Sequence, residues 1–175
     1  MDRGEPAILV VMGVSGAGKT TVGGALARAL GWRFLDGDAL HSPASIDKMR
    51  RGIPLTEADR DPWLERLRQA TASYLAAGER AVIACSALKR THRSRLRVGP
   101  GVRFVYLKGG PPLLRERLRH RRGHYMKAPL LESQLATLEE PRDALTLDAD
   151  LPVDVLVRRV IRAYGLKGKR TEAGD

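Results

Sequence analysis

A glycine-rich segment near the start of the chain has the residue types and spacing of a phosphate-binding loop. Residues 13–20 read GVSGAGKT and match GxxxxGK[ST] between an apolar run and a helical pattern, the context that makes this motif specific. The glycines let the backbone curl so that successive amides face phosphate oxygens, and the following helix adds its positive end. Lys19 would reach the outer phosphates, while the Thr20 hydroxyl would bind a Mg²⁺ ion that neutralises charge as the γ-phosphoryl group moves. We therefore predict a site for ATP and Mg²⁺ formed by Gly13, Val14, Ser15, Gly16, Ala17, Gly18, Lys19, Thr20 and Thr21.

Two carboxylates follow the second predicted strand. Asp36 and Asp38 stand two residues apart in LDGD, so one can reach the magnesium shell while the other faces an incoming hydroxyl group. The alternative interpretation is a polar strand end that caps the next turn. The chain has no NKxD-type segment of the kind a regulatory GTPase uses to bind guanine, which favours a small-molecule kinase. Such an enzyme needs a lid that excludes water, so that phosphate goes to the substrate.

An arginine-rich segment supplies candidate lid residues. The arginines that precede Gly123 are Arg115, Arg117, Arg119, Arg121 and Arg122. Arg117 and Arg121 are four residues apart and share one helix face, where they would close over the phosphates as a clamp. We assign both to nucleotide binding and Arg121 also to catalysis. Arg115 and Arg119 are expected to form a solvated basic face.

Alternating strand and helix patterns must position these residues. Buried-strand runs cover residues 7–12, 33–36, 80–85, 102–107 and 144–148. Ser42 with Pro43, and Asp61 with Pro62, are start signals for two of the intervening helices. Because crossovers between parallel strands are right-handed, this pattern predicts an α/β fold with helices on both faces of one sheet and ligands at the carboxyl ends of the strands.

Length and composition fit one domain. The chain has 175 residues, of which 43% are hydrophobic and 29% charged, enough to bury a single core. No run approaches the length of a membrane span, and the first residues lack the apolar centre of a signal peptide, so we expect a cytoplasmic protein. A single cysteine, Cys85, agrees with a reducing compartment and is expected to be a small buried side chain.

The charge balance is basic, with 31 Lys and Arg against 20 Asp and Glu, a net charge of +11. A solvated surface explains much of this excess, and anionic small ligands or nucleic acid are the alternatives. Only 5% of residues are aromatic, and no basic stretch is interleaved with stacking side chains, which disfavours nucleic acid.

Several strings together resemble one kinase family. They are GVSGAGKTTV, FLDGDALHSPASIDKMRRGIPLTEADRDPWL, CSALKRTHRSRLR, YLKGG, RRGHYM and LLESQLATLEEP. In this order they are similar to gluconokinases of the small P-loop type, and the resemblance covers roughly residues 7 to 165. It implies ATP-dependent phosphorylation of D-gluconate to 6-phosphogluconate, a shikimate-kinase-like or adenylate-kinase-like P-loop NTPase fold with sheet order 2-3-1-4-5, and a homodimer. It also suggests an acceptor-binding region at about 38–78 and a lid at about 119–141. Residues 167–175 have no apolar spacing and are expected to form a disordered tail.

The resemblance implies roles for individual residues. Asp38 would orient or deprotonate the 6-hydroxyl group and Asp36 would act near magnesium, although the two roles could be exchanged. The acceptor site would be lined by Asp38, His41, Lys48, Arg60, Ser86, Lys89, Arg90 and, from the lid, His124. Lys89 and Arg90 are expected to bind the substrate carboxylate, because they follow the third strand beside the P-loop.

Some of these positions have plainer interpretations. Arg60 could instead form a salt link with Asp59 or Asp61, and His124 could be a hinge residue of the lid. His92 and His120 are expected at the surface. The chain has Tyr125 and Leu135 where the family often has phenylalanine, which affects lid packing rather than the catalytic residues. Two rival functions remain: another sugar-acid or shikimate-like kinase, and a P-loop protein that binds nucleic acid.

Overall fold

A five-stranded parallel sheet forms the centre of the molecule. The computed structural model describes residues 5–120 and 128–169. The strands are β1 Ile8–Met12, β2 Arg33–Asp36, β3 Ala81–Ala84, β4 Val102–Lys108 and β5 Leu145–Asp148. Their order is β2-β3-β1-β4-β5, and every pairing is parallel. The predicted fold class and sheet order are confirmed.

Helices connect the strands. Over the described ranges they are α1 Lys19–Leu30, α2 Pro43–Arg50, α3 Glu57–Ala76, α4 Arg90–Leu96, α5 Pro111–His120, α6 Ala128–Thr137 and α7 Val153–Ala163, with a 3-10 turn at Gly37–Leu40. None of these helices is both long and apolar enough to cross a membrane.

The side chains of β1 alternate between two hydrophobic cores. Leu9 and Val11 pack in one core with residues of α1 and α7. Ile8, Val10 and Met12 pack in the other core with residues of α3 and α4. All five side chains are completely buried, as expected for a central strand that is covered on both faces. Helices therefore cover both faces of the sheet, in three layers.

The start of α3 differs from the prediction. The helix begins at Glu57 rather than near Asp61, and Pro62 lies inside it. Thr56 is the N-cap: its side chain accepts a hydrogen bond from the Asp59 N–H, and the Asp59 side chain accepts one from the Thr56 N–H. This reciprocal capping box stabilises an earlier start than the Asp-Pro signal indicated.

Helix α4 was not predicted at all. Its sequence, RTHRSRL, lacks an apolar stripe at helical spacing. It is held instead by α3, because Arg95 contacts Asp61 and Glu65. The predicted start of α2 is confirmed, since Ser42 accepts the Ser45 N–H at 3.1 Å and Pro43 occupies the first turn.

The strand order brings three loops to one edge of the sheet. The loop after β1 is the glycine-rich segment, the turn after β2 carries Asp36 and Asp38, and the loop after β3 carries Ser86. Because β2, β3 and β1 are neighbours, these loops are adjacent at the carboxyl ends of the strands. Of the predicted tail, residues 167–169 are described, and the Lys169 N–H donates to the Ala29 carbonyl at 2.8 Å; residues 170–175 and lid residues 121–127 lie outside the description.

Candidate active site

The glycine-rich loop curls into the first turn of α1. Gly16 and Gly18 have φ of +85° and +94°, a left-handed backbone that side-chain-bearing residues rarely adopt. Gly18 is the N-cap of α1, so the amides at this helix start face the same side as the loop. The Lys19 Nζ donates to the Val14 carbonyl at 3.0 Å, which holds its ammonium group across the loop. This geometry provides amides, a helix N-terminus and a cation for phosphate groups.

Asp36 joins the loop to the turn after β2. Its Oδ2 accepts a hydrogen bond from the Thr20 hydroxyl at 3.1 Å, and its Oδ1 accepts one from the Asp38 N–H at 3.0 Å. The turn-capping alternative is therefore observed for Asp36, in addition to its contact with Thr20. Asp38 lines the pocket described next, whereas Asp36 is not among the residues that line it.

A pocket opens between the glycine-rich loop, the α2–α3 region and α6. Its polar lining consists of Ser15, Gly16, Gly18, Lys19, Thr20, Asp38, His41, Arg60, Trp63, Ser86, Ser133 and Gln134. Its apolar lining consists of Met49, Pro54, Leu55, Leu88 and Leu130. The pocket thus brings together the predicted residues Lys19, Thr20, Asp38, His41, Arg60 and Ser86.

His41 is a neutral, stacked histidine at neutral pH. Its ring lies 4.6 Å from the Trp63 ring with only 9° between the planes, and Trp63 Nε1–H donates to the Gly37 carbonyl at 2.8 Å. Burial lowers the pKa of His41 to about 4; Arg66 and Arg60 act in the same direction, and Asp38 opposes them. Within the described ranges its Nδ1 is buried with no hydrogen-bond partner.

Glu57 ties three basic residues together at the start of α3. Its carboxylate contacts Arg60 Nη1 at 3.0 Å, Lys89 Nζ at 3.0 Å and His92 Nε2 at 3.2 Å. Burial raises the pKa of Glu57, but hydrogen bonds from His92 and Lys89 outweigh it and lower this pKa to about 2. The expectation of a surface His92 is wrong, because its side chain is only 4% exposed and bridges α4 to α3. The salt link of Arg60 is formed with Glu57, not with Asp59 or Asp61.

Three predicted acceptor residues are not among those that line the pocket. Lys48 contacts Asp59 at 2.8 Å, and Lys89 is directed to Glu57. The Arg90 side chain is exposed, while its backbone N–H donates to Glu139 Oε2 at 2.9 Å. The assignment of the substrate carboxylate to Lys89 and Arg90 therefore finds no support in this geometry, because neither residue is among those that line the pocket.

Arg117 packs against the outer side of the glycine-rich loop. Its guanidinium donates to the carbonyls of Gly16 at 3.3 Å, Ala17 at 3.4 Å and Ala149 at 2.7 Å. A second, largely apolar pocket lies here, lined by Gly16, Ala17, Gly18, Thr21, Val22, Glu116, Arg117, His120, Ala149, Leu151, Val153 and Leu156.

The rest of the predicted lid is only partly described. Arg115 pairs with Glu132 at 2.7 Å, and both side chains are exposed. Arg119 and His120 are exposed as well, as expected. The predicted clamp residue Arg121 and the predicted lid residue His124 lie outside the described residues, as does Tyr125.

Gln134 is a pocket residue that the sequence analysis missed. Its Oε1 accepts a hydrogen bond from the Ser15 N–H at 2.7 Å, which connects α6 directly to the glycine-rich loop. The same helix packs against the core through Leu131 and Leu135. Gln134 lies three residues after Leu131, on the same helix face as Leu131 and Leu135, and a polar residue on that otherwise apolar face is the signal that could have identified it.

Burial also settles the state of the single cysteine. Cys85 has no exposed surface, and burial raises the pKa of its thiol to about 12. A thiol in this state is not a nucleophile at neutral pH. The expected small buried side chain is confirmed.

Known proteins resemble this chain over most of its length. A family model described as an AAA domain matches residues 8–143. Gluconokinase from Gluconobacter oxydans (strain 621H) is 47% identical over 164 residues, covering 91% of this chain and 92% of that protein. A crystal structure of a sugar kinase from Janibacter sp. HTCC2649 is 45% identical, with a TM-score of 0.85 and coverage of 92% and 95%. A crystal structure of a gluconokinase from Sinorhizobium meliloti 1021 is 45% identical, with a TM-score of 0.82 and coverage of 91% and 92%. With this identity over nearly its whole length, and with a glycine-rich loop that lines a polar pocket, the chain belongs to the gluconokinase family of P-loop kinases.

Proposed function

We propose that the protein transfers the γ-phosphoryl group of ATP to the 6-hydroxyl group of D-gluconate, giving 6-phospho-D-gluconate and ADP. One observation carries the proposal. A single pocket, called the acceptor pocket below, is lined both by the phosphate-binding residues Lys19 and Thr20 and by the polar side chains of Asp38 and Arg60. A phosphoryl donor and a polyol acid bound in such a pocket would meet without an intervening protein group.

The nucleotide would lie along the glycine-rich loop. Backbone amides and Lys19 would bind the β- and γ-phosphates, and the second pocket beside Arg117 would take the base. Arg117 is already fixed by three backbone carbonyls, so it would form a wall of the base site. Arg121 is proposed as the arginine that closes over the phosphates.

The hydroxyl of Thr20 and the carboxylate of Asp36 fit a Mg²⁺ ion. Both offer oxygen atoms, which Mg²⁺ prefers, and they lie 3.1 Å apart. When bound, the ion would supply positive charge that offsets the charge on the phosphates during transfer.

Asp38 is proposed to orient the 6-hydroxyl group and accept its proton. The support is its position, since Asp38 lines the pocket whereas Asp36 is held by Thr20 and by the turn after β2. A carboxylate within reach of the attacking hydroxyl both directs its lone pair and removes the proton as the new P–O bond forms. This assigns the two aspartates to different steps.

Arg60 is proposed to bind the carboxylate of gluconate. A guanidinium has five N–H donors, so the contact with Glu57 fixes the group and leaves donors for a bidentate bond to a substrate carboxylate. His41 and Ser86 would bind the hydroxyl groups of the polyol. Lys48 and Lys89 would act through Asp59 and Glu57, which they hold at the start of α3.

The remaining assignments follow from the family resemblance. Arg90 and His124 are proposed as outer contacts of the acceptor site. A homodimer is also proposed, and light scattering of the purified protein would measure it. A cytoplasmic location is proposed, and the single, deeply buried cysteine suits a reducing compartment.

The test is an acceptor panel. ADP release, coupled to NADH oxidation, is measured with ATP and Mg²⁺ against D-gluconate, other aldonates, glycerate, shikimate and AMP. We expect turnover with gluconate and little or none with the other acceptors. The Lys19→Ala variant is the matched control, because it should remove the activity and so exclude a contaminating kinase.

The panel also decides between the rival functions. Turnover with a different acid would keep the kinase and reassign the acceptor pocket. No turnover with any acceptor, together with salt-sensitive binding of DNA or RNA, would contradict the proposal and favour a nucleic-acid function.

A further inference from the structure

A buried arginine lies beneath the loop that follows β3. Arg93 on α4 is only 5% exposed, yet it lines neither of the two pockets described above and has no assigned role in the reaction. Its Nη1 donates to the carbonyl of Leu88 at 2.8 Å and to that of Ala87 at 3.2 Å. The charges of Asp143 and Glu139 act on it favourably and offset part of the free-energy cost of its burial. The guanidinium is therefore directed at two adjacent peptide groups.

Those two peptide groups belong to a strained part of the chain. Ala87 has φ of +40°, and among the described residues it is the one position other than glycine with a left-handed backbone. Such a backbone is unfavourable for an alanine, because its Cβ approaches neighbouring backbone atoms. Surrounding contacts must hold it in place, and the two bonds from Arg93 are such contacts.

The strained residue lies between two residues of the acceptor pocket. Ser86 and Leu88 both line the pocket, one on each side of Ala87 in the chain. The direction of both side chains therefore depends on the backbone conformation of Ala87. If Ala87 relaxed to an ordinary extended or right-handed conformation, Ser86 and Leu88 could not both keep their positions.

We infer that Arg93 is a positioning residue for the acceptor substrate: it holds Ala87 in the left-handed conformation that directs Ser86 and Leu88 into the pocket. The inference rests on the proposed gluconate kinase activity and adds a residue that contacts neither substrate. It predicts a larger effect on gluconate binding than on ATP binding, because ATP would also be held by the glycine-rich loop and by the pocket beside Arg117, which neither Ser86 nor Leu88 lines.

The first experiment removes the guanidinium. In Arg93→Met the side chain keeps its length and loses its donors. We expect the KM for gluconate to rise roughly tenfold or more, while the KM for ATP stays within about twofold of the wild-type value. The control is Arg95→Met on the same helix, which loses contacts with α3 but none with the loop. Its KM for gluconate should stay near that of the wild type.

The second experiment tests rescue. Glycine adopts a left-handed backbone without strain, so Ala87→Gly should make the loop depend less on Arg93. We expect Arg93→Met with Ala87→Gly to recover most of the lost gluconate affinity, and Ala87→Gly alone to change it little. A general loss of packing would not be corrected by removing another buried methyl group.

The outcomes separate this inference from the proposed function. A wild-type protein that does not phosphorylate gluconate contradicts the proposed function. An active wild type with an unchanged KM for gluconate in Arg93→Met, an equal rise in both KM values, or no rescue by Ala87→Gly contradicts the role of Arg93. If Arg93→Met does not fold, Arg93→Lys replaces it; because lysine lacks the planar fork, we expect a smaller rise in the KM for gluconate, and an unchanged KM would contradict the inference.

Discussion

Two aspartates only two residues apart have different surroundings. Asp36 accepts hydrogen bonds from Thr20 and from the Asp38 N–H, whereas Asp38 lines the acceptor pocket. A carboxylate already shared with a hydroxyl group on the phosphate loop suits a metal. A carboxylate that lines the pocket suits the substrate.

Substitution of the two aspartates should therefore have different effects on the kinetics. We expect Asp38→Asn to lower kcat by roughly 10²- to 10⁴-fold, the usual contribution of a general base, with ATP binding largely intact. Asp36→Asn should instead raise the Mg²⁺ concentration needed for half-maximal rate. Steady-state kinetics over a Mg²⁺ series, with nucleotide binding followed by a fluorescent ATP analogue, measures both. Normal turnover in Asp38→Asn would move the acceptor role to Asp36.

His41 should make the folded state less stable in mild acid. Its pKa falls from 6.5 to about 4 on folding, so between these pH values the unfolded chain binds a proton that the folded protein does not. Stability is unaffected by this group above pH 6.5 and declines as the pH falls toward 4; at pH 5 the loss is about 2 kcal/mol.

Urea unfolding at pH 7.5 and pH 5 measures this effect against His41→Phe, which keeps a ring against Trp63 and removes the titration. The wild type should lose more stability than the variant between the two pH values. The pKa of Glu57 is lowered from 4.5 to about 2, so its stabilising contribution is present above pH 4.5 and is lost mainly below that pH, outside the range compared. Equal losses in the two proteins would show that burial does not disfavour protonation of His41.

A hydrogen bond from the Ser15 N–H to Gln134 joins helix α6 to the phosphate loop. The helix lies within the predicted lid segment, about 119–141, so this bond connects part of that segment to the loop that binds phosphate. A negative charge at this position would face the phosphates of ATP across a short distance.

The charge of residue 134 should therefore matter more than its hydrogen bond. We expect Gln134→Glu to raise the KM for ATP roughly tenfold, and Gln134→Met to raise it much less, since methionine removes the bond without adding charge. The difference should shrink in high salt. Similar KM values for the two variants would show that Gln134 lies too far from bound phosphate to influence it.

The elements that the sequence predicted correctly are those with local signals. The apolar run of β1 and the glycine spacing after it can be recognised from a short stretch of sequence. The structure contains both the strand and the glycine-rich loop. Helix α4 depends on α3 through Arg95 and Asp61, a contact between residues 34 positions apart. A local sequence pattern does not predict that contact.

The same limit applies to side-chain direction in the site. The position of Lys89 beside the sheet edge is correct from strand order alone. Its direction is not predictable in that way, because Glu57, 32 residues earlier in the chain, draws its ammonium group away from the pocket. His92 is buried for the same reason. Chain position predicts where a residue lies, and distant partners determine which way it points.

For the whole molecule, the net charge of +11 should act on both anionic substrates. We expect kcat/KM for ATP and for gluconate to fall several-fold between about 20 and 200 mM NaCl, with kcat nearly constant, because screening weakens the long-range attraction of anions. A series with sucrose in place of salt controls for general solvent effects. An unchanged kcat/KM would mean that the excess charge is solvated surface with no effect on substrate capture.

Because Cys85 is deeply buried, its reaction with a thiol reagent can report transient local unfolding. With one thiol in the chain and a pKa of about 12, a thiol reagent can label the molecule only while the region around the end of β3 is transiently unfolded. The labelling rate then measures how often this region unfolds. The loop with Ser86 follows the same strand end. A ligand that binds there should therefore lower the labelling rate of Cys85, and no dye or tag needs to be attached to the protein.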